Sequence, residues 1–290
     1  MEIHFEPVRS GGSSGRKIIA CRIIQYLLEQ SRVTTQTRGE RAYHIFAQLC
    51  AGLETGLRDK FGLEHASTYH YLNQSDCYTI DGVDDGDDWE ATVKAMYALQ
   101  FTRTQIESIW QLLVAVLQIG NLRMVANPEK TDLTVIENTP DLERACATLG
   151  LPSHDVLASA LVFRSVTIRG SISMIPLKPP EAEANRDALA KTIYSKLFDF
   201  IVQRMNVVLF ADGATTAMTE EEKKRTGRSI GILDIFGFEI FETNLIEQFF
   251  INFGSSHSHK HKRARMKLIW HNGHADHFVV PFACTFFFSF

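Results

Sequence analysis

The 290-residue chain lacks most of the features that would set it apart from ordinary globular proteins. Its five cysteines (Cys21, Cys50, Cys77, Cys146 and Cys284) are scattered and form no CxxC pair. An odd, dispersed set argues against a disulfide framework and for free thiols in a reducing compartment. No apolar run reaches the ~18 residues that a membrane span needs. The opening Met1-Glu-Ile-His-Phe-Glu6 has neither a basic leader nor a long apolar stretch, so a cytoplasmic chain without a membrane span is expected. A large charge of one sign is also missing: the net charge is −4, which removes the basic field expected of a nucleic-acid binder. What is present, 45% hydrophobic and 22% charged residues, suffices for a sizeable core. Charge is uneven, with residues 255–290 carrying a net +4 and the rest a net −8.

The pattern of residues predicts mixed secondary structure. Met1–Phe5 alternates, Lys17–Ile23 is rich in β-branched residues, and Arg9-Ser-Gly-Gly-Ser-Ser-Gly-Arg16 between them reads as a turn, so a hairpin is expected. Helical spacing appears at Glu40–Leu53, near Trp89 after the acidic turn Gly82–Asp88, and most strongly at Thr102–Ile119. Two short helices are expected at Pro140–Leu149 and Ser153–Leu161, the second capped by Ser153. A second hairpin flanks Gly170 and ends in Pro176, Pro179 and Pro180, and a long helix follows from Glu181 to Leu209. Ser229–Glu239 reads as an apolar strand running into a glycine turn, with a helix opening near Thr243 or Asn244.

Two stretches resemble phosphate chemistry. Gly12-Ser-Ser-Gly-Arg-Lys17 has glycines, hydroxyls and a lysine, but a phosphate loop needs a longer loop and adjacent Gly-Lys followed by Ser or Thr; Ile18 stands where that hydroxyl is required. A hairpin turn is the better reading. Asp234-Ile-Phe-Gly237-Phe-Glu239 is stronger. A carboxylate at the end of a buried strand can hold a metal directly or through water, and a glycine lets its backbone N–H approach a phosphate oxygen.

That hexapeptide, followed by Thr243-Asn-Leu-Ile-Glu-Gln-Phe-Phe-Ile-Asn252, resembles switch II and the start of the relay helix of the myosin motor domain. Further blocks agree in order: Tyr26-Leu-Leu-Glu-Gln-Ser-Arg-Val33, Gly39-Glu-Arg-Ala-Tyr-His-Ile-Phe46, Tyr71-Leu-Asn-Gln-Ser75, Leu117-Gln-Ile-Gly-Asn121 and Arg186-Asp-Ala-Leu-Ala-Lys191. The resemblance implies an α/β fold: a partial P-loop NTPase-like myosin head, with a remnant of the central mixed sheet and a mainly helical upper actin-binding subdomain. It implies domain limits of 1–253 for the motor part (1–26 sheet hairpin, 27–228 upper actin-binding subdomain, 229–253 switch II and relay helix start). The implied function is an actin-based cytoskeletal motor driven by ATP, cytoplasmic and part of a myosin complex. Carried over by motif, Asp234 is the carboxylate near Mg²⁺, acting through water, Gly237 donates its amide to the γ-phosphate, and Glu239 partners a switch I arginine that positions the attacking water. ATP and Mg²⁺ are thus the expected cofactors of a complete motor.

The same resemblance places the first strand just after switch I, so neither the phosphate loop nor switch I is matched, and the 290 residues are not expected to hydrolyse ATP or to bind it stably. Whether the chain is an enzyme stays open at this point. The hairpin Arg164–Leu177 resembles the actin-contacting loop of that family, which makes Arg164, Arg169 and Ser171 candidate actin-binding residues. Ser171 is also a candidate phosphosite, where phosphate would add about −1.5 to −2 charges. Light chains are not expected, because no lever-arm sequence is matched. Alternatives are a non-catalytic actin-binding or interfering fragment, or an unstable product of a truncated gene model. Beyond Phe253 the resemblance ends. Residues 254–290 read as a non-homologous basic and aromatic tail, expected to be disordered, whose His257, His259 and His261 have no fixed tetrahedral geometry for a metal.

Overall fold

The computed structural model describes residues 1–10, 13–26, 28–130, 133–168, 170–209, 228–232, 249–250, 252–253 and 277–280. In chain order the elements are β1 (Glu2–Ser10), β2 (Ser13–Arg22), α1 (His44–Gly52), α2 (Thr55–Phe61), α3 (Asp85–Ala98), α4 (Arg103–Gly120), β3 (Met124–Ala126) and β4 (Thr134–Ile136). They continue as α5 (Thr139–Leu149), α6 (His154–Val162), β5 (Phe163–Ile168), β6 (Ser171–Pro176), α7 (Pro179–Leu209), β7 (Arg228–Ile232) and β8 (His277–Val280). Two compact units divide these elements, one formed by Met1–Leu27 with Ile201–Phe287 and one by Leu28–Phe200.

The first unit is built on a four-stranded mixed sheet of order β2-β1-β7-β8, antiparallel except for the parallel pair β7–β8. The hairpin expected at the N-terminus forms, and its strands are longer than the composition suggests, pairing from Glu2↔Arg22 to Ser10↔Ser13. A bulge between His4 and Phe5 skips Ile19, and Pro7 is tolerated because the ladder from β1 to β7 covers only Glu2–His4. Of the stretch Gly12–Lys17, the described residues Ser13–Lys17 lie in β2, not in a phosphate loop. Asn206, 8% exposed on α7, fastens the chain just past β2: its Oδ1 accepts from Ile23 N at 2.7 Å and its Nδ2 donates to Ile23 O at 2.9 Å. In the segment expected to be disordered, the described residues His277–Val280 form β8.

The second unit is mainly helical and is organised around α4. Its cap is complete: Thr102 Oγ1 accepts from Gln105 N at 3.2 Å, and Gln105 Oε1 accepts from Thr102 N at 2.9 Å. Leu113 to Gly120 are all buried, so its second half is enclosed on every side. α3 starts at Asp85, ahead of the Trp89 start expected from periodicity, because Asp84 Oδ1 accepts from Gly86 N and Asp87 N at 2.8 and 3.1 Å. Ser153 caps α6 as expected, accepting from Asp155 N. α7 begins at Pro179, not Glu181, since proline fits a first helical turn that needs no N–H donor there. Trp89 of α3 and Trp110 of α4 meet at 4.4 Å, and a Cβ on Gly52 of α1 would lie 2.2 Å from the Trp89 ring. Among the described residues no single helix is long and apolar enough to cross a membrane.

A buried charge network ties α1 to α3. Arg41 grips Asp85 with two parallel bonds of 2.8 and 2.9 Å and reaches Tyr78 O at 3.3 Å. Its Nε also donates to His44 Nδ1 at 3.2 Å. Burial, then the Arg41 charge, lowers the His44 pKa, and burial likewise lowers those of His4 and His70. Unfolded imidazoles bind protons near pH 6.5 while these folded ones bind them at lower pH, so in that window the unfolded state takes up more protons. Stability contributed by the three histidines is therefore full above about pH 6.5 and is lost as pH falls below it. Thermal melts between pH 7.5 and 5.5 check this: the midpoint is expected to drop steadily as the pH is lowered, and a flat profile contradicts it.

Candidate functional site

The nucleotide-side residues identified from the sequence stand just beyond a well-anchored strand. β7 runs between β1 and β8, and its last residue, Ile232, is held by Met1 through two 2.7 Å bonds, Ile232 N to Met1 O and Met1 N to Ile232 O. Asp234 follows two positions later in sequence; Asp234, Gly237 and Glu239 lie outside the described residues, as does most of the helix expected from Thr243. Among the described residues no group of three His, Cys, Asp or Glu side chains is placed to hold a metal ion.

The second candidate, the hairpin around Gly170, is described almost whole. β5 and β6 pair in register from Phe163↔Pro176 to Ile168↔Ser171, and Gly170 has φ of +83°, a left-handed conformation that favours glycine. Its base is locked into the helical unit. Leu177 N donates to Val162 O at 2.8 Å, and the buried Thr134 hydroxyl of β4 donates to Leu177 O at 2.6 Å. The small β3–β4 hairpin thus shares an anchor with the larger one. Neither face of β6 is covered toward its tip: Ile172 and Met174, on one face, are 73% and 53% exposed, and Ser171 and Ser173, on the other, are exposed as well. An unpacked finger with apolar side chains in solvent is the form of a contact surface, not of a core element.

Within that finger Arg164 and Ser171 are both exposed but far apart. Arg164 pairs with Ile175 at the base, whereas Ser171 pairs with Ile168 at the tip, four register steps away or about 13 Å. Arg169 lies outside the described residues.

Motif reasoning did not foresee that three of the quoted sequence blocks converge. Tyr71, from the first, lays its ring against α4 where Gly120 has no side chain; a Cβ there would sit 2.5 Å from the ring. The Tyr71 hydroxyl donates to Asp187 Oδ1 at 2.6 Å, and Arg186 lies over the ring with its guanidinium 5.7 Å from the centroid. Arg186 NH1 donates to Leu122 O at 2.8 Å, while Asn121 Oδ1 accepts from His70 N at 2.8 Å. Burial, together with the bond to Asp187, pushes the Tyr71 phenol far above its usual range, so it stays protonated. The only hint in the sequence was the presence of all three blocks, each carrying a polar residue beside apolar ones.

Comparison with known proteins agrees with these blocks. The family model of the myosin head (motor domain) matches residues 1–261, running past Phe253, where the motif resemblance was drawn to a close. The chain is 38% identical over 261 residues to Myosin-1 of Arabidopsis thaliana, covering 90% of this chain and 21% of that protein. It is 36% identical over 261 residues to Myosin IE heavy chain of Dictyostelium discoideum (87% and 24%). It is 38% identical over 258 residues to Myosin heavy chain IB of Acanthamoeba castellanii (87% and 20%). The chain therefore spans between a fifth and a quarter of the length of these relatives.

Proposed function

The chain belongs to the myosin head (motor domain) family, and from this we propose that it is part of an actin-based cytoplasmic motor in which ATP binding and hydrolysis are coupled to filament binding. In this reading the unit Leu28–Phe200 corresponds to the upper actin-binding subdomain. Strands β1, β2 and β7 of the other unit are the remnant of the central P-loop NTPase-like sheet, β7 being the strand that leads into switch II. The observation that carries the actin side is the uncovered β5–β6 finger, anchored at its base and presenting Ile172 and Met174 to solvent.

The nucleotide side is incomplete in these 290 residues. Toward a magnesium triphosphate they offer Asp234 as a carboxylate acting through water, the Gly237 amide, and Glu239. The sequence contains no GxxxxGK followed by Ser or Thr. One amide and two carboxylates bring no positive charge to the β- and γ-phosphates, whose neutralisation and positioning do most of the work in phosphoryl transfer. This donor set does not fit a triphosphate by itself, and no hydrolytic step is assigned to it. Binding to actin without response to ATP is the activity expected of the residues present.

Sedimentation with actin filaments tests the reading. The chain is expected to pellet with filaments, and Ile172→Asp, which puts a charge where an apolar contact would be buried, is expected to weaken binding about tenfold. Ser171→Glu is expected to shift the affinity and its salt dependence, as phosphate at Ser171 would, while Ser171→Ala does neither. Equal pelleting of the wild type and Ile172→Asp rules out the finger as the contact.

A further inference from the structure

The two strands that flank β7 come from different parts of the sequence. On one side β1 pairs with it antiparallel over Glu2–His4. On the other lies β8, the outermost strand of the sheet, in parallel register from Ser229↔His277 to Ile232↔Val280. The myosin head model ends at residue 261, so β8 is drawn from sequence beyond the family match. A segment outside the matched motor sequence thus covers β7 from Ser229 to Ile232, on the strand that leads toward Asp234.

Backbone alternation along β7 fixes which of its groups meet β8. Ile232 N–H and C=O both bond to Met1, at 2.7 Å each, so Ile232 faces β1. Successive residues of a strand turn these groups to opposite sides, which makes Ile230 face β1 as well and leaves Ser229 and Gly231 facing β8. In the parallel ladder the N–H groups of Phe278 and Val280 then point at β7, and that of Val279 points away. Without β8, Ser229 and Gly231 would present unpaired N–H and C=O groups, an open edge that templates pairing with another chain. The sequence suits the role: His277-Phe-Val-Val280 is rich in strand formers, and Pro281, next in line, has no N–H with which to continue a ladder.

We infer that His277–Val280 is a built-in plug for the sheet, a short strand of this chain docked on the edge of β7 that would otherwise pair with a second copy of the chain. Four register pairs make a small contact. Its hold comes from being tethered, which makes docking an intramolecular event. The inference rests on strand order and register, and it does not depend on the motor reading.

Amide exchange of the full ¹⁵N-labelled chain, followed by NMR, tests the plug. Phe278→Pro/Val280→Pro removes both N–H groups that β8 turns to β7. In this variant the Ser229 and Gly231 amides are expected to exchange at least tenfold faster than in the wild type, while Ile230 and Ile232, bound to β1, keep their rates. Val279→Pro, which removes an N–H that points away, is expected to leave all four unchanged. A peptide of residues 275–282 at about 1 mM, comparable with the effective concentration of a tethered strand, should restore slow exchange at Ser229 and Gly231 in the double variant, and a scrambled peptide should not. Sedimentation velocity should show larger species for the double variant than for the wild type at equal concentration, reversed by the peptide. Unchanged exchange at Ser229 and Gly231, equal acceleration at all four amides that the peptide does not reverse, an equal effect of Val279→Pro, or no gain in association overturns the inference.

Discussion

Gly120→Ala is expected to destabilise the chain by about 3 kcal/mol, at the upper end of what overpacking a core brings. Glycine in a helix interior is normally a weakness, and alanine would by itself gain up to about 1 kcal/mol. Here the added methyl would sit 2.5 Å from Tyr71 Cδ2, and the ring has nowhere to go. Tyr71 is fully buried, held by its hydroxyl on Asp187 and covered by Arg186. Moving the ring would break a buried hydrogen bond as well as the packing. Denaturant unfolding followed by circular dichroism measures the effect. The control is Gly56→Ala, where nothing lies within 4 Å of the added Cβ and which should be neutral or slightly stabilising.

Comparable in size is the loss expected for Asp85→Asn, about 3 kcal/mol, because it leaves the Arg41 guanidinium buried without its counter-charge. The Arg41 side chain is 7% exposed and that of Asp85 14%, so water cannot make good the missing partner. The double variant Arg41→Met/Asp85→Leu removes both charges and is expected to regain most of the stability, since a buried pair contributes less than its breakage costs. If the double variant is no more stable than Asp85→Asn, the loss comes from packing or from the Tyr78 and His44 bonds to Arg41 and not from an orphaned charge.

These two predictions concern features the sequence shows unequally. Elements with local causes were legible. α4 has a capping box and a long apolar stretch, α6 has Ser153, and the finger has a glycine between β-rich runs. Boundaries went astray where a local device outran periodicity: Asp84 starts α3 ahead of the first core residue, and Pro179 opens α7 instead of closing the preceding hairpin. α2 escaped notice because seven residues give too few turns for a 3.6-residue period to show. The pairing of Arg41 with Asp85 spans 44 residues, and that of Tyr71 with Asp187 spans 116. Nothing local marks such partners, which are fixed only when helices pack.

The candidate sites divide in the same way. Asp234, Gly237 and Glu239 were read from a motif whose chemistry is local, a strand followed by a glycine turn, and β7 delivers the chain to that point. Ser171 is named from the resemblance of the Arg164–Leu177 hairpin to an actin-contacting loop, and it stands exposed at the tip of the finger. The meeting of Gln118 and Asn121 of one block with Arg186 of another, around one polar cavity, had no such signature, because it exists only once the helices pack.

Steady-state phosphate release by the purified chain, with and without actin filaments, bears most directly on the reading that these residues retain the filament-contacting part of a myosin head without a working hydrolytic site. With Mg-ATP the expected result is release at background rate, unchanged by saturating actin and unaffected by Glu239→Ala. Release that actin stimulates and Glu239→Ala abolishes would mean that the 290 residues do hold a triphosphate, and would contradict that reading.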